Sequence, residues 1–366
     1  MEKIKVLNVL GGLDAGGAET FVMNIYRNID KEKFQFDFVV HNKEKKFYID
    51  EIHSLGGKVF CVPRYRIYNH FEYVRKWEDF FKKHTEYHIV HCHVRSTASI
   101  ILKIAKKYGI KTICHSHSTS NGCGISALIK NLYQKEIVNY ADYLFGCSEK
   151  SIEWLYGEEY LKNKNCFVIN NAIDTKRFLY DKSVSNKIKK EFGLEKKFIM
   201  GQIGRLSTVK NHIFSINLLN EYLKVNKSAF LLIVGSGPLK ENLVKEIKRL
   251  KLENNVLILS ERSDVNEIIQ CFDIFLMPSL YEGLPLSLVE AQAASLPCII
   301  SDNVHDGKLI KELIEQIPLD NNYQMWIKAI EKRKNNKKID RMKEIKTMNF
   351  DIGENVKWLE KFYENL

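Results

Sequence analysis

The sequence predicts an α/β protein with two domains, each built on a parallel sheet. Apolar segments of strand length alternate with amphipathic helical segments along nearly the whole chain, which is typical of βαβ units. This alternation begins twice, at Ile4–Leu10 and at Phe198–Leu206, and both times the strand leads into a loop and a helix. With 366 residues, 45% of them hydrophobic, the chain can bury two cores. We therefore expect two Rossmann-like domains.

The first strand leads into a loop that contains four glycines, at positions 11, 12, 16 and 17. A helix is predicted from Thr20 to about Asn28. Glycines let backbone amides approach a ligand closely, but their spacing does not fit G-x-G-x-x-G, which disfavours a dinucleotide cofactor. A purely structural turn is the alternative interpretation of this loop.

Further strands follow in the first half of the chain, and two of them end in histidines. The predicted strands are Phe34–Val40, Lys58–Val62, His88–His93, Lys111–Cys114 and Tyr140–Ser148. The carboxyl ends of parallel strands are where open sheets bind ligands. A zinc site from these histidines and the nearby cysteines is conceivable, but no C-x2-C pair or H-E-x-x-H helix accompanies them, so zinc is disfavoured.

The first half is also basic. The formal net charge is +11, and the first 180 residues contribute about +7 of it, from 27 basic and 20 acidic side chains. In Arg64–Lys83, basic residues are interleaved with aromatic residues at near-helical spacing. Either this is a surface helix that packs its aromatic residues on the sheet, or it approaches an anionic lipid surface. No zinc-finger, helix-turn-helix or RNA-binding motif is present, which disfavours nucleic acid as a partner.

The second half begins with a pattern suited to phosphate. The strand Phe198–Leu206 carries Gly204 and Arg205 at its end, and Lys210 follows in the loop before the next helix. A forked guanidinium, a point charge and a helix amino terminus together match the needs of a diphosphate. Two surface cations in a loop are the plainer alternative.

Two more features belong to this half. The strand Phe230–Val234 runs into a glycine turn at Gly235, and Arg262 follows the next strand. The stretch Tyr281–Glu290 places Glu282 in a loop and Glu290 in the early turns of a helix that begins near Pro285. Unpaired amides at such a helix start attract anions. A helix is also expected from His305 to Gln316.

These motifs together resemble the retaining GT-B glycosyltransferases of family 4. The resemblance rests on the E-x7-E pair Glu282 and Glu290, on Arg205 with Lys210, and on the segment Phe167–Asp174, in which Ala172 replaces the usual glycine. It implies two Rossmann-like domains facing each other across a cleft, with the C-terminal helix crossing back to the first domain. We expect domains at 1–178 and 179–350, followed by the helix at 351–366.

The resemblance also implies roles for particular residues. Glu282 would lie against the donor sugar, Glu290 would bind the ribose, and His117 would be the active-site histidine, with His115 as the alternative. Arg205 and Lys210 would stabilise the departing diphosphate. The predicted catalytic residues are thus Glu282, His117, Arg205 and Lys210. The predicted donor-binding residues are Gly16, Gly17, Gly204, Arg205, Lys210, Gly235, Arg262, Glu282, Gly283, Leu284, Pro285, Leu286 and Glu290.

The implied reaction is retaining transfer of a hexosyl group from a nucleotide-diphosphate sugar, with UDP as the expected carrier. The expected acceptor is a lipid-linked glycan in capsule or exopolysaccharide synthesis. No metal or other cofactor is expected, because no D-x-D occurs at the strand ends and the Arg/Lys pair supplies positive charge. The chain shows no leader and no membrane span, which predicts a cytoplasmic protein, peripheral at most to the inner membrane face.

Three alternatives remain open at this point. A GT-B sugar-nucleotide epimerase would form product without an acceptor. A glycosidase could use Glu282 and Glu290 as its two carboxylates, although it would have no use for the cationic pair. A sugar-binding protein would bind the nucleotide sugar and release no nucleoside diphosphate.

Overall fold

The computed structural model describes residues 2–14, 16–42, 47–117, 133–282, 285–304, 309–320 and 323–366. The chain divides into two compact units. Met1–Ala172 and Ile352–Leu366 form the first, and Ile173–Asp351 forms the second. Each unit contains its own parallel sheet, so the predicted α/β class with two Rossmann-like domains is confirmed.

The first unit is built on a seven-stranded sheet with the order β3-β2-β1-β4-β5-β6-β7. The strands are β1 (Ile4–Leu10), β2 (Phe34–Val40), β3 (Val59–Cys61), β4 (Ile89–Cys92), β5 (Lys111–Ser116), β6 (Tyr143–Gly146) and β7 (Cys166–Val168). The described helices between them are α1 (Gly17–Asn28), α2 (Ile49–Ser54), α3 (His70–Lys83), α4 (Ala98–Lys107), α5 (Ile137–Tyr140) and α6 (Glu149–Tyr156).

Both faces of this sheet are buried, because successive strand residues point to opposite sides. Val6 belongs to the apolar cluster that includes Phe21 of α1, whereas its neighbour Leu7 belongs to the cluster that includes Trp77 of α3. Strands covered on both faces are typical of parallel sheets flanked by crossover helices. The strand segments therefore contain nearly continuous apolar runs rather than clean alternation.

The second unit is built on a six-stranded sheet with the order β10-β9-β8-β11-β12-β13. Its strands are β8 (Phe198–Ile203), β9 (Ala229–Val234), β10 (Val256–Leu259), β11 (Ile274–Met277), β12 (Cys298–Ser301) and β13 (Ile314–Ile317). Its helices among the described residues are α7 (Thr175–Phe178), α8 (Lys182–Glu191), α9 (His212–Tyr222), α10 (Lys240–Arg249), α11 (Val265–Ile268), α12 (Leu286–Ala293), α13 (Gln324–Arg333) and α14 (Met342–Thr347).

The last helix, α15 (Ile352–Glu364), belongs to the first unit. Its apolar face, with Val356, Leu359 and Tyr363, joins the cluster on the α1 side of the first sheet. Asn355 also donates a hydrogen bond of 2.7 Å to the backbone oxygen of Asn170. The chain thus leaves the first unit after Ala172 and returns to it at Ile352.

Two sequence expectations differ from the structure. The helix expected from His305 to Gln316 is wrong: residues 305–308 lie outside the described part, a short 3-10 turn spans Lys311–Leu313, and Ile314–Ile317 forms β13. Pairing with β12 completes the sheet there and overrides local helical periodicity. The units also divide between Ala172 and Ile173, whereas the expected boundary lay after residue 178, because α7 is part of the second unit.

The described residues include no helix that could span a membrane. Each of their helices is too short or too polar to cross a bilayer.

Candidate active site

The carboxyl ends of β8 and β11 bring two of the predicted donor-site loops together. After β8 the chain passes through Gly204 and Arg205 into a 3-10 turn at Thr208–Lys210 and then into α9. After β11 it leads to Glu282. The two loops touch where the Leu280 amide donates a hydrogen bond of 2.8 Å to the Val209 carbonyl. This edge of an open parallel sheet is the usual place for a ligand.

Lys210 and Glu282 form an ion pair at this edge. The Lys210 Nζ lies 2.7 Å from the Glu282 Oε1, and the two side chains are only 19% and 16% exposed. The backbone of Lys210 is also fixed, because Gln202 donates a 2.7 Å hydrogen bond to its carbonyl oxygen. The structure therefore joins the predicted phosphate cation to the predicted sugar-binding carboxylate.

Two glycines allow the strand-end loops to approach each other. Gly204 has φ 154° and Gly235 has φ 153°, a backbone conformation that residues with a Cβ rarely adopt. A Cβ on Gly235 would collide with the Gly204 carbonyl oxygen, and a Cβ on Gly204 would lie 3.2 Å from the Lys210 Cε. Because Gly235 and Gly204 have no side chain, the loop after β9 can approach the loop after β8 closely, next to the side chain of Lys210.

The two arginines that were predicted to bind the donor, Arg205 and Arg262, differ in their surroundings. Arg205 is exposed, and its guanidinium has no ion pair or hydrogen bond with any other residue that the structure describes. Arg262, after β10, forms two hydrogen bonds with Asp264, of 2.7 and 2.5 Å. These bonds raise the pKa of Arg262 and lower the pKa of Asp264. Arg205 is therefore free to meet an anion, whereas Arg262 is already paired.

Glu290 lies on α12, which begins at Leu286 with Pro285 as its N-cap. Gly283 and Leu284, also predicted to bind the donor, lie outside the described residues. Desolvation by the surrounding protein raises the pKa of Glu290 from 4.5 to about 7, and the nearby charge of Arg177 partly offsets it. The carboxylate is thus held close to its protonation midpoint at neutral pH.

His212 is a residue of this edge that sequence analysis missed. It is the first residue of α9, two residues after Lys210, and is 2% exposed. Neither of its ring nitrogens has a hydrogen-bond partner within the described ranges. Burial, followed by the charge of Lys210, lowers its pKa to about 4, so the ring is neutral. A polar residue at a helix start, two positions after the predicted phosphate cation, was the available signal.

In the first unit, Gly16 and Gly17 lie at the start of α1. Gly16 is the N-cap, and its carbonyl accepts a hydrogen bond of 2.8 Å from the Thr20 amide. The helix thus begins at Gly17, earlier than the predicted start at Thr20. Nothing lies within 4 Å of a Cβ built on Gly17, so this glycine leaves the helix start open.

Four histidines form a two-by-two arrangement at the ends of β4 and β5. His91 stacks on His93 with ring centroids 4.3 Å apart, and His115 stacks on His117 at 4.1 Å. Phe21 of α1 contacts both His115 and His117. Residues two apart on a strand share a face, which explains both stacks.

Hydrogen bonds join the two stacks. The His91 Nε2 lies 3.2 Å from the His115 Nδ1, and the His93 Nδ1 lies 2.9 Å from the His117 Nε2. Burial lowers the pKa of all four rings, to about 3 for His91 and about 4 for His117, where the Asn171 side chain opposes the shift. All four imidazoles are therefore neutral at pH 7.

Three of these histidines bring ligand atoms close enough to consider a metal. Nitrogens of His91, His93 and His115 lie within 4.8 Å of one another. However, an imidazole lone pair lies in the plane of its ring, and the stacked rings of His91 and His93 are inclined by only 28°. In-plane lone pairs of two stacked, nearly parallel rings converge poorly on one ion, so this geometry favours a hydrogen-bonded cluster over a zinc site.

Comparison with known proteins identifies the family. The family described as Glycosyltransferase Family 4 matches residues 15–177, and the one described as Glycosyl transferases group 1 matches residues 184–347. The putative glycosyltransferase EpsF of Bacillus subtilis (strain 168) is 35% identical over 335 residues, which cover 89% of this chain and 86% of EpsF.

A second relative and a solved structure add to this. The UDP-Gal:alpha-D-GlcNAc-diphosphoundecaprenol alpha-1,3-galactosyltransferase of Escherichia coli is 26% identical over 241 residues, covering 63% of this chain and 61% of that enzyme. The structure of Anabaena HepE in complex with UDP-glucose aligns with a TM-score of 0.75 at 16% identity, over 99% of this chain and all of HepE. The latter likeness concerns the fold alone.

The two parallel-sheet units and these matches define a glycosyltransferase of the GT-B fold. The chain belongs to the glycosyltransferases whose first half carries the family 4 pattern and whose second half carries the group 1 pattern. The predicted resemblance is confirmed.

Proposed function

We propose that this glycosyltransferase moves a sugar from a UDP-sugar to a hydroxyl of a lipid-linked acceptor, with retention of anomeric configuration, during capsule or exopolysaccharide synthesis. The ion pair between Lys210 and Glu282 is the observation that carries the donor part of the proposal. It places a cation suited to phosphate and a carboxylate suited to sugar hydroxyls within 2.7 Å at a sheet edge.

The diphosphate is assigned to Arg205 and Lys210. Arg205 is exposed, and Lys210 precedes α9, whose first amides add partial positive charge. As the bond to the sugar breaks, negative charge grows on the leaving diphosphate, and these two cations stabilise it. They supply the positive charge that a metal would otherwise provide, and the enzyme is expected to need no divalent ion.

The two carboxylates and the histidine have separate proposed roles. Glu282 orients the donor sugar and Glu290 accepts hydrogen bonds from the ribose hydroxyls. His117 is proposed to contact the sugar, and its half-buried, neutral ring is suited to hydrogen bonding rather than to charge pairing.

The donor and acceptor classes are supported by the names of related proteins. HepE was solved with UDP-glucose, and the E. coli relative is named for a UDP-sugar donor and a diphosphoundecaprenol-linked acceptor. A Campylobacter jejuni relative, 30% identical over 176 residues, is named for a diphospho-undecaprenol acceptor as well.

A donor panel tests this function. The protein is incubated with UDP-linked sugars and polyprenyl-diphosphate-linked mono- and disaccharides, and UDP release and the anomeric configuration of the product are measured. Retention and acceptor-dependent UDP release are expected. Product without an acceptor would indicate an epimerase, hydrolysis of a simple aryl glycoside would indicate a glycosidase, and binding without UDP release would indicate a sugar-binding protein.

We also propose that the enzyme works in the cytoplasm while bound weakly to the anionic inner membrane face. One side of α3 packs Tyr73, Trp77 and Phe81 into the core. The preceding turn and the helix start instead expose Ile67 (56%), Tyr68 (79%) and Phe71 (88%).

Exposed cations flank these apolar side chains. We define the basic-aromatic patch as Arg64, Arg66, Ile67, Tyr68, Phe71, Arg75 and Lys76, all of them exposed. Glu72 is an exposed acidic side chain within the same stretch. Aromatic side chains among cations fit the interface of an anionic bilayer, where each cation contributes about 1 kcal/mol. A lipid-linked acceptor lies in such a bilayer.

A further inference from the structure

We propose that Tyr363 of the terminal helix α15, acting through His91, is a positioning residue that makes the Nε2 of His115 a hydrogen-bond donor. This inference rests on the proposed function, in which the ring stacked on His115, that of His117, contacts the sugar. It assigns to the last helix a part in the chemistry of the first unit.

A single line of hydrogen bonds connects the three residues. The Tyr363 hydroxyl lies 2.8 Å from the His91 Nδ1, and the His91 Nε2 lies 3.2 Å from the His115 Nδ1. All three side chains are at most 3% exposed. The last atom of the line, the His115 Nε2, has no hydrogen-bond partner among the residues that the structure describes.

The direction of this line follows from the hydroxyl. A neutral imidazole has one N–H and one lone pair. A ring that accepts a hydrogen bond at one nitrogen therefore donates at the other, so the first bond determines the direction of the following ones. His91 is the hydrogen-bond partner that the described structure gives the Tyr363 hydroxyl. If Tyr363 accepted from His91, its own buried O–H would have no acceptor there, which costs free energy.

Tyr363 therefore donates to the His91 Nδ1. His91 must then carry its proton on Nε2 and donate to the His115 Nδ1, which leaves the His115 proton on Nε2. The outcome is a neutral, buried N–H, without an acceptor among the described residues, on the ring stacked 4.1 Å from His117.

The parallel line through His93 lacks such a direction. It runs from the Asn8 Oδ1 (3.3 Å) through His93 to the His117 Nε2. Asn8 could present its amide nitrogen instead of its oxygen, and then every bond in that line would reverse. The Tyr363 hydroxyl is thus the group that fixes a direction in this cluster.

The test uses the full-length Tyr363→Phe variant with 15N-histidine labelling. Removing only the hydroxyl keeps the ring contacts of Tyr363 with Phe34 and Phe36. Long-range 1H–15N spectra should show His91 and His115 as Nε2–H tautomers in the wild type and as tautomer mixtures in the variant. We expect kcat/KM for the UDP-sugar to fall about tenfold.

Tyr87→Phe is the matched control. Tyr87 is also 3% exposed in the first unit, and its hydroxyl donates a 2.8 Å hydrogen bond to Asp37, away from the histidines. It should lose similar stability but keep wild-type tautomers and kinetics. As a second readout, His115→Gln, which retains an amide donor, should keep more activity than His115→Leu.

Two results would overturn the inference: unchanged tautomers in Tyr363→Phe, whatever its activity, or stoichiometric zinc bound to His91 and His115 in the purified protein. The tautomer shift does not depend on turnover. If the shift occurs in a protein that transfers no sugar from any UDP-sugar, the proposed function fails while the positioning role stands.

Discussion

The Lys210 ammonium and the Glu282 carboxylate form an ion pair, with 2.7 Å between Nζ and Oε1. They come from different strand-end loops, and both side chains are largely shielded from water. We expect a diphosphate at Lys210 to compete with Glu282 for this cation. The ion pair leaves neither charge uncompensated in this shielded position.

The first prediction concerns the two cations. Arg205→Ala and Lys210→Ala should each weaken UDP binding by about tenfold to a hundredfold, because a hydrogen bond to a charged group contributes about 1.5–3 kcal/mol. Lys210→Ala should additionally leave Glu282 without its partner and lower kcat. Isothermal titration with UDP and steady-state kinetics measure both effects. Wild-type affinity and turnover in both variants would refute the phosphate assignment.

The second prediction separates Glu282 from Glu290. Glu282→Gln should tighten UDP binding severalfold, since Lys210 is released from its competitor, while lowering kcat with the UDP-sugar because the sugar contact strengthens as the bond breaks. Glu221→Gln is the control, since Glu221 pairs with Lys224 on the exposed surface of the same unit. Weaker UDP binding in Glu282→Gln would show that the ion pair does not compete with the diphosphate.

The ion pair itself could only partly be predicted from sequence. The spacing of Lys210 to α9 and of Glu282 to α12 is local, and it indicated loops before helices. Their contact depends on β8 and β11 being neighbours, although β9 and β10 lie between them in the chain. Strand order is a tertiary property, so no local pattern reports it. The same limitation hid β13, whose pairing with β12 overrides a helical pattern.

The third prediction is a pH dependence. Burial raises the pKa of Glu290 to about 7, and its proposed role at the ribose requires the ionised form, which accepts hydrogen bonds from the hydroxyls. The donor KM should therefore rise as pH falls below about 7, and Glu290→Gln should raise the donor KM at pH 8 and flatten this dependence. Exposed Glu253, replaced by Gln, is the control and should keep the wild-type profile. If the donor KM of Glu290→Gln still rose below pH 7 as in the wild type, the titration of another group would cause that rise.

The contribution of Glu290 to the free energy of unfolding should depend on pH in the opposite sense: it should be largest at low pH, where donor binding is weakest. Because the folded-state pKa is raised above 4.5, protonation favours the folded state, so this contribution is complete below about pH 4.5 and is lost as pH rises through about 7. Compared with Glu290→Gln, the wild type should therefore lose stability between pH 5 and pH 8, by at most about 3 kcal/mol and by less where solvent reaches the side chain. Urea unfolding at both pH values measures the difference, and a constant difference would contradict the raised pKa.

The fourth prediction concerns the close approach between the backbones of Gly204 and Gly235, next to Lys210. Gly235→Ala should destabilise the second unit by several times more than Gly193→Ala, because only the former forces a Cβ against the Gly204 carbonyl. Gly193 also has a positive φ of 67°, but the space around it is open, so Gly193→Ala should lower the free energy of unfolding by about 1 kcal/mol. Urea unfolding and UDP titration of both variants provide the test, and equal losses would mean that the close approach is easily relieved.

The histidine cluster shows how much of the first unit could be predicted from the sequence. Alternation on strands correctly placed His115 and His117 on one face, as their stacked rings show. The contact between Tyr363 and His91 could not be predicted from sequence, because the two residues are 272 positions apart in the chain. The apolar spacing of Val356, Leu359 and Tyr363 is typical of a packed helix, and the hydroxyl in that stripe carries no local signal.

The final prediction concerns the basic-aromatic patch. The Tyr68→Ser/Phe71→Ser double variant should bind anionic liposomes at least about tenfold more weakly than the wild type, because it removes apolar side chains that would enter the lipid interface. Turnover of a short, water-soluble acceptor should not change. Val225→Ser is the control, since Val225 is 57% exposed but lies in the second unit, outside the patch. Wild-type binding should fall as salt rises, because the four cations act through screened charge. Sedimentation with liposomes of increasing anionic lipid content measures both effects, and equal, negligible binding to neutral and anionic liposomes at low salt would refute the membrane proposal.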